Sequence, residues 1–409
     1  MNSETTPVDG SPARGAGNNR NDLRQHNLSV VLNLVHRSRA VSRSEITAIT
    51  GLNRSTTLDL VGVLEDLRLV TEKETEVSRS VGRPSIVVSS SDAIVSFSVV
   101  PTKHSVTVAA VSMNGRIHEK VRETLALYSS AEETAKVAAD LISGLRKRLK
   151  TGTRIAGIGV SISGQVNVAT NVVRHAPFLG WIEEPFGSML ENLTGLPVKV
   201  DNNSTLTCAA ERDFGAGRGF KNIVYLMGAE GGIGGGVVVD GQLLRGTTGY
   251  AGELGHIRIS DSRLTDSMGL EGTLEALVRR EELETALGLV NPDDSEIRQA
   301  LSKRRSAKVE RVLNRKIDLL GIAVANLVNI FNPELVLLAG FLSELFNADD
   351  YRLMSQVRMS ALAGARERVQ IRTAELGPNL QLIGAAQLGF ADLLADPVGT
   401  RLFAKDDSN

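Results

Sequence analysis

The chain has 409 residues, which is more than one hydrophobic core usually supports, so two or three domains are expected. Its 46 Lys and Arg residues nearly balance its 47 Asp and Glu residues, so any contact with nucleic acid must come from a local patch. The single cysteine, Cys208, excludes an intramolecular disulfide and a multi-thiolate metal site, and it suits a reducing cytoplasm.

The start of the chain, residues 1–20, reads MNSETTPVDGSPARGAGNNR and has no apolar core, which excludes a signal peptide. Its content of Gly, Ser, Pro and Asn predicts a disordered leader. The longest apolar stretch, LLGIAVANLVNIF, is too short to span a bilayer and is interrupted by Asn326 and Asn329. We therefore expect a cytoplasmic protein without a membrane partner.

A helix-turn-helix is predicted within residues 21–90. Ser42 followed by Glu45 is a capping-box pattern that starts one helix, Gly51 permits a tight turn, and Asn53 caps a second helix. Apolar residues at helical spacing supply the buried stripes of these helices and of a preceding one: Leu28, Val31, Leu32 and Val35, then Ile46 and Ile49, then Leu60, Val61, Leu64 and Leu67.

The predicted DNA-binding side chains are cations and short hydroxyls, which reach phosphates and base edges in a major groove. Ser42 and Arg43 are expected over the DNA backbone at the start of the first helix. The exposed start of the second helix supplies the other four: Arg54, Ser55, Thr56 and Thr57.

Two short strands, at residues 69–71 and 86–88, predict a wing beside this module. Arg83, between Gly82 and Pro84, is expected to enter a minor groove, where negative potential is concentrated. The wing also carries acids at Glu72, Glu74 and Glu76, which are expected to point away from phosphate. The alternative is a helical protein–protein module, but the cap, the turn and the hydroxyl-rich helix start together favour DNA binding.

Residues 91–398 change to alternating strands and helices, and residues 399–409 form a short tail. Strand patterns occupy residues 94–100, 106–113, 155–162, 223–227, 233–239 and 335–338, and helix patterns occupy residues 131–149 and 317–331. Turn sequences Asn114-Gly115 and Asp240-Gly241 follow the first two strands of each half. The pattern predicts an α/β fold that is duplicated in two lobes, with a cleft between them.

Three motifs carry a family resemblance: GIGVSISGQVN, HAPFLGW and GGIGGGVVVDGQLLRGTTGYAGELGHI. They resemble the ROK family of repressors, open reading frames and sugar kinases, and the winged helix with its Gly-Arg-Pro at residues 82–84 resembles that of the repressor branch. The resemblance implies an actin-like ATPase (ribonuclease H-like) fold, a sugar in the interdomain cleft, and homodimers or homotetramers.

The resemblance also implies a set of sugar-binding residues, namely Gly164, Asn202, Asn203, Glu253, His256 and Glu275. Carboxylates accept hydrogen bonds from sugar hydroxyls, and an amide can both donate and accept. Glu253 and His256 are three residues apart and can share one face of a turn. The alternative makes Asn202 a helix cap and Glu275 a solvated helix residue.

The sequence departs from the sugar kinases of the family at the catalytic position. Those kinases carry an Asp directly after the Asn, whereas this chain has Asn203, and a neutral amide cannot take up the hydroxyl proton. The first phosphate loop has lost its acid and glycines, because Ser98, Val100 and Pro101 occupy those places and only Thr102 is retained. We therefore predict no catalytic residue, no cofactor and no kinase activity.

The family's zinc ligands are missing as well. Family members often place three cysteines after the histidine, and this chain has Asp266, Met268 and Thr273 there. No metal is predicted, which leaves His256 available to a ligand. Apolar packing is expected to hold this loop instead, through Met268, Leu270 and Leu274.

The leading hypothesis is a transcription regulator, a repressor that binds double-stranded operator DNA as a dimer and senses a sugar or sugar derivative without phosphorylating it. The second hypothesis is an ATP-dependent sugar kinase with a DNA-binding appendage, which Asn203 disfavours. The third is a regulator without a small ligand, which the presence of Glu253, His256 and Glu275 disfavours.

Overall fold

The structure is a computed structural model, and it describes residues 20–38, 40–74, 86–290 and 292–405. Residues 1–19 of the predicted leader and Arg83 lie outside the described residues. Within the described part of the chain, no helix is long and apolar enough to cross a membrane.

The first module is a winged helix-turn-helix. Its elements are α1 (Arg20–Ser38), β1 (Val41–Ser42), α2 (Arg43–Thr50), α3 (Arg54–Asp66), β2 (Val70–Glu74) and β3 (Ile86–Ser90). The three strands form an antiparallel sheet in the order β1-β3-β2. The predicted capping box at Ser42, the left-handed Gly51 and the cap at Asn53 are all confirmed. The prediction that Ile49 is buried is wrong, because its side chain is 64% exposed and Ile46 alone fills that face of α2.

The remaining chain builds two lobes, each around one large sheet, and a further small sheet of three strands belongs to the first lobe. Lobe 1 contains β4 (Ile94–Thr102), β5 (Ser105–Ser112), β6 (Ile117–Thr124), α4 (Ala131–Arg148), β7 (Arg154–Ile162), β8 (Gln165–Asn167), β9 (Val172–Ala176), β10 (Trp181–Glu184), α5 (Phe186–Thr194) and β11 (Val198–Asn202). Helix α6 (Asn203–Phe214) then leads into lobe 2.

Lobe 2 opens with strands and continues with several helices. Its elements are β12 (Ile223–Ala229), β13 (Gly232–Val239), β14 (Gln242–Leu243), a 3₁₀ turn (Leu254–His256), α7 (Leu274–Leu277), α8 (Arg280–Leu287), α9 (Asp294–Leu301), α10 (Ala307–Phe331), β15 (Leu335–Gly340), α11 (Phe341–Ala348), α12 (Asp350–Ser360), α13 (Ala363–Arg366) and β16 (Gln370–Thr373). A second 3₁₀ turn (Gly377–Asn379) precedes α14 (Leu380–Gly389), α15 (Ala391–Ala395) and β17 (Phe403–Ala404).

The predicted duplication is present in the order of the strands. The sheet of lobe 1 runs β6-β5-β4-β7-β11, and the sheet of lobe 2 runs β14-β13-β12-β15-β16. In each sheet the first three strands along the chain pair antiparallel, each with the next. A fourth strand then pairs in parallel with the first, and a fifth pairs in parallel with the fourth. Parallel strands end at one edge of their sheet, which is where open α/β sheets bind ligands.

The end of the chain returns to lobe 1. Helix α14 packs on β4 and β7, and β17 pairs antiparallel with β7 through Phe403 and Ile155. Part of the predicted tail is therefore an edge strand of the lobe 1 sheet.

The winged helix packs directly on this lobe. Ser29 and Asn33 of α1 donate side-chain hydrogen bonds to the carbonyl of Leu394, at 2.7 and 2.9 Å. Arg154 of β7 donates to the carbonyl of Leu67 at 2.6 Å, and the apolar core of the module is continuous with Phe390 and its neighbours. The winged helix-turn-helix and lobe 1 thus share one hydrophobic core.

His36 lies at the centre of this contact. Its ring is buried against the edges of Phe214 and Phe390, with ring centroids 5.5 and 6.0 Å away, and Nε2 contacts the side-chain oxygen of Gln387. The neighbouring Arg37 forms an ion pair with Asp213 at 3.6 Å. Burial lowers the pKa of His36 to about 4, although the hydrogen bond with Gln387 and the charge of Asp213 oppose that shift.

We predict that acid destabilises this contact. The pKa of His36 is about 4 in the folded protein and about 6.5 when unfolded, so only the unfolded chain takes up a proton between these values. Stability is unaffected well above pH 6.5 and falls by up to about 1.4 kcal/mol per pH unit between pH 6.5 and pH 4. His36→Gln should flatten this part of the profile in urea unfolding, whereas His26→Gln, on the exposed start of α1, should not. Parallel profiles for wild type and His36→Gln would contradict the assignment.

Candidate ligand site

A cavity of about 300 Å³ lies in the cleft, at the ends of strands from both lobes. All six residues predicted to bind a ligand line it: Gly164, Asn202, Asn203, Glu253, His256 and Glu275. A larger cavity of about 730 Å³ adjoins it across Gly231, Gly232 and Glu275, which line both.

The junction of β11 and α6 brings two amides to the cavity. Asn202 caps α6, since its side-chain oxygen accepts from the backbone N–H groups of Ser204 and Thr205, and its amide donates to the carbonyl of Gly164 at 2.9 Å. Asn202 therefore caps α6, as the alternative expected, and it also lines the cavity. Asn203 is buried, and its side-chain oxygen accepts from the backbone of Ser204 at 2.9 Å. The residue that the resemblance aligns with the kinase base is thus a buried neutral amide.

Glu253 and His256 are placed by the 3₁₀ turn after β14. His256 Nε2 lies 3.9 Å from the Glu253 carboxylate, as the three-residue spacing predicted. Gly255 lets this turn press against β13, because a Cβ there would come within 1.8 Å of the Ile233 carbonyl. Burial raises the pKa of Glu253, the charge of His256 opposes that shift, and the charge of Glu275 adds to it.

Glu275 is not a solvated helix residue. Its side chain is buried, and its two oxygens accept from the backbone N–H of Ile233 at 2.8 Å and from the backbone N–H of Ser267 at 2.9 Å. The Ser267 hydroxyl also donates to it, at 2.6 Å. Glu275 therefore fixes the wall of the cavity by joining β13 to the loop before α7.

The expectation for that loop needs a correction. Leu274 is buried, but Leu270 is 50% exposed and Met268 is partly exposed, so apolar packing by all three residues does not hold it. Hydrogen bonds to the Asp266 carboxylate hold it instead, including one from Thr273 at 2.8 Å.

The segment in β4 that aligns with the first phosphate loop, and the glycine-rich segment in β13, both make close packing contacts. In β4, the Ser98 hydroxyl donates to the Leu382 carbonyl of α14 at 2.6 Å, so Ser98 joins this strand to α14. In β13, a Cβ on Gly234 would come within 1.9 Å of the Ser204 hydroxyl, and one on Gly236 within 2.6 Å of Cys208. These glycines therefore allow α6 to lie directly on β13.

Further cavity residues were not assigned from the sequence. Gln165, His175 and Phe178 line the lobe 1 side, and the Lys103 ammonium lies 5.4 Å from the centre of the Phe178 ring. His175 and Phe178 belong to the HAPFLGW motif, so this motif could have indicated them as cavity residues. An aromatic face beside polar groups gives the cavity both an apolar and a hydrogen-bonding wall.

Two ion pairs join the lobes beside the cavity. Asp201 of β11 is buried, and Arg245, which follows β14, donates to it at 2.6 Å. Lys103 of lobe 1 pairs with Glu230 of lobe 2. Burial raises the pKa of Asp201, and the charge and hydrogen bond of Arg245 oppose that shift.

Some of the predicted DNA-binding residues are exposed, and others are buried or paired with other side chains. Arg54 and Ser55 are exposed at the start of α3, and Thr56 is half-buried. Ser42 is buried with its hydroxyl in the capping box. Arg43 donates to Glu72 of the wing at 2.7 Å, so Glu72 pairs with a predicted phosphate ligand. The prediction that Thr57 belongs to the exposed helix start is wrong, since it is buried and accepts a hydrogen bond from Thr47.

The chain belongs to the ROK family, whose family model matches residues 102–391. It is 27% identical to a xylose repressor of Caldicellulosiruptor bescii over 92% of this chain and 98% of that protein. It is also 30% identical to a glucokinase of Streptomyces coelicolor, over 62% of this chain and 86% of the glucokinase.

Solved structures show the same fold. A ROK family transcriptional regulator, described as a homologue of the Escherichia coli Mlc protein, superposes with a TM-score of 0.74 at 22% identity, over 91% of this chain and 97% of the regulator. A ROK hexokinase from Thermus thermophilus superposes with a TM-score of 0.59 at 27% identity, over 73% of this chain and 99% of the hexokinase.

We predict that Arg245→Ala destabilises the protein in a pH-dependent way. At pH 7.5 the variant leaves the Asp201 carboxylate buried without its cation, at a cost of about 1–3 kcal/mol. The pKa of Asp201 should then rise further, so the difference from wild type should be smaller at pH 4.5, because a carboxyl that takes up a proton needs no counter-ion. Thermal unfolding at both pH values measures this, with Arg263→Ala, an exposed arginine of lobe 2, as the control. An equal loss at both pH values would contradict it.

Proposed function

We propose that this protein is a DNA-binding transcriptional repressor that senses a sugar or sugar derivative in the cleft and leaves it unphosphorylated. The observation that carries the proposal is the placement of α6. Its first residues line the cavity, and its last residues contact α1 of the winged helix. The repressor named among the relatives matches nearly the whole chain, which adds support.

The DNA-binding part of the proposal is supported by the start of α3. Arg54 and Ser55 are exposed there, next to the capped N-terminus of the helix, whose backbone N–H groups favour phosphate. A regulator of this kind works in the cytoplasm and binds double-stranded operator DNA. We propose that it does so as a homodimer or homotetramer on an inverted repeat.

The sensing part is supported by the chemistry of the cavity wall. Glu253 and His256 present two hydrogen-bonding groups 3.9 Å apart, which suits neighbouring hydroxyls of a sugar, and Phe178 offers an apolar face. Phosphoryl transfer needs a base and phosphate ligands in position. Asn203 is neutral, and Pro101 in the first hairpin has no N–H to donate, so we propose that the protein is not an enzyme.

Helix α6 gives the proposal a physical route from ligand to DNA. It spans about 18 Å from Asn203 to Phe214. It is packed without gaps on β13 of lobe 2, at Gly234 and Gly236, and on α14, where a Cβ on Gly384 would come within 2.6 Å of the Leu206 carbonyl. Closure of the lobes around a ligand would therefore move α6 and, through it, α1. A ligand shifts DNA affinity only if it binds one of the two arrangements more tightly.

The first prediction concerns DNA. Arg54→Ala should weaken binding to an operator selected from random duplexes by roughly 5- to 150-fold, because a lost phosphate or base contact costs about 1–3 kcal/mol. Fluorescence anisotropy at several salt concentrations measures the affinity. Arg218→Ala, an exposed arginine after α6, is the control and should bind like wild type. Unchanged affinity in both Arg54→Ala and Ser55→Ala would remove this surface from the proposal.

The second prediction concerns the ligand. Calorimetry against pentoses, hexoses, amino sugars and their phosphates should find a binder whose affinity Glu253→Gln lowers at least tenfold, while DNA affinity is unchanged. Because the pKa of Glu253 is raised, wild-type affinity should fall with acid at a higher pH than for an ordinary glutamate, and the variant should lose that dependence. Glu191→Gln, an exposed glutamate of α5, is the control.

The same panel separates the competing functions. With ATP present, no ADP should form with any sugar, and clear turnover would favour a sugar kinase with a DNA-binding module. If no sugar binds and DNA binding persists, the protein is a regulator without a small ligand.

A further inference from the structure

The loop between the 3₁₀ turn and α7 converges on one carboxylate. No part of the Asp266 side chain is exposed, and it accepts four hydrogen bonds. Oδ2 accepts from His256 Nδ1 and from the Thr273 hydroxyl, both at 2.8 Å. Oδ1 accepts from the backbone N–H groups of Met268 and Leu270, both at 2.9 Å.

These partners are the residues at the places of the family's zinc ligands. Asp266, Met268 and Thr273 stand where other members often carry cysteine, and His256 is the histidine of the same set. In this chain three of the four positions donate a hydrogen bond to the fourth. These positions are therefore held together by hydrogen bonds to one carboxylate.

The residues present do not fit a metal. The donor atoms of His256, Asp266 and Glu275 lie within 4.8 Å of one another, which is a spacing that a cation could bridge. However, His256 Nδ1 is directed at Asp266, and both oxygens of Glu275 already accept from Ile233 and Ser267. A structural zinc site takes four ligands that have given up their protons, usually with sulfur among them, and this set supplies only three and no thiolate.

We propose that Asp266 replaces the metal as the hub of this loop and acts as a positioning residue for His256. By accepting the Nδ1 proton, the carboxylate fixes the imidazole tautomer and ring orientation, as carboxylate partners of histidine do elsewhere. His256 Nε2 is then left as a hydrogen-bond acceptor on the Glu253 side of the cavity. The use of that acceptor for a sugar rests on the proposed function, whereas the hub itself does not.

The experiment examines the wild-type protein first. Its melting temperature should change by less than about 1 °C after dialysis against EDTA or on addition of zinc, and it should copurify with far less than one zinc per chain. With ¹⁵N-labelled histidine, NMR near pH 8 should show His256 protonated at Nδ1, its resonances being identified by their absence in His256→Gln. One bound zinc per chain whose removal lowers the melting temperature would overturn the proposal, as would an Nε2-protonated His256.

A variant then tests the positioning role. Asp266→Asn should lower the melting temperature by several degrees and shift the ring nitrogens of His256, because an amide cannot accept all four hydrogen bonds. Asp261→Asn, the same change at a fully exposed position of this loop, should do neither. Unaltered His256 resonances in Asp266→Asn would reject the positioning role. These readouts need no ligand, so failure of sugar binding and failure of the hub are distinguished.

Discussion

Close packing around α6 is the constraint on which the arrangement of the whole molecule depends. Gly234 and Gly236 of β13 admit one face of the helix, and Gly384 of α14 admits another. Any side chain at these glycines would drive the two elements apart, because its Cβ would come closer than 3 Å to an atom of α6. The helix can therefore lie against both lobes, with its capped start at the cavity and its end against the winged helix.

Buried polar groups also fix the position of α6. Glu211, buried near the end of α6, accepts from the backbone N–H groups of Ala216, Glu375 and Leu376, and so ties the helix to the chain that leads into α14. Asp201 and Arg245 join the lobes beside the start of the helix. Because a buried carboxylate is costly without such partners, each contact fixes a relative position of two elements as well as adding stability.

The cavity wall is made of polar groups that are themselves held in place. Carboxylate and amide oxygens line the cavity, Asn203 at the start of α6 is a buried amide, and the Ser98 hydroxyl donates to α14. In the loop beside it, the Asp266 carboxylate accepts four hydrogen bonds and so holds the loop together.

Local patterns in the sequence predicted several helix starts and hairpin turns correctly. The capping box at Ser42, the cap at Asn53 and the two hairpin turns are set by residues a few positions apart, so they are visible without a structure. The family resemblance likewise indicated six of the residues that line the cavity. The buried stripe of α2 was misjudged at Ile49, because periodicity alone does not show how wide a face its neighbours cover.

Contacts between distant residues were decided only by the tertiary structure. The pairing of Arg43 with Glu72, the burial of Thr57, and the docking of His36 on Gln387 each depend on residues that the chain brings together across 10 to 351 positions. The four hydrogen bonds to Asp266 join residues that are close in sequence, but they form only when the loop folds back on itself. Hydrogen bonding and burial are properties of the assembled neighbourhood, so residue type and spacing predicted which groups could meet, and packing decided which of them did.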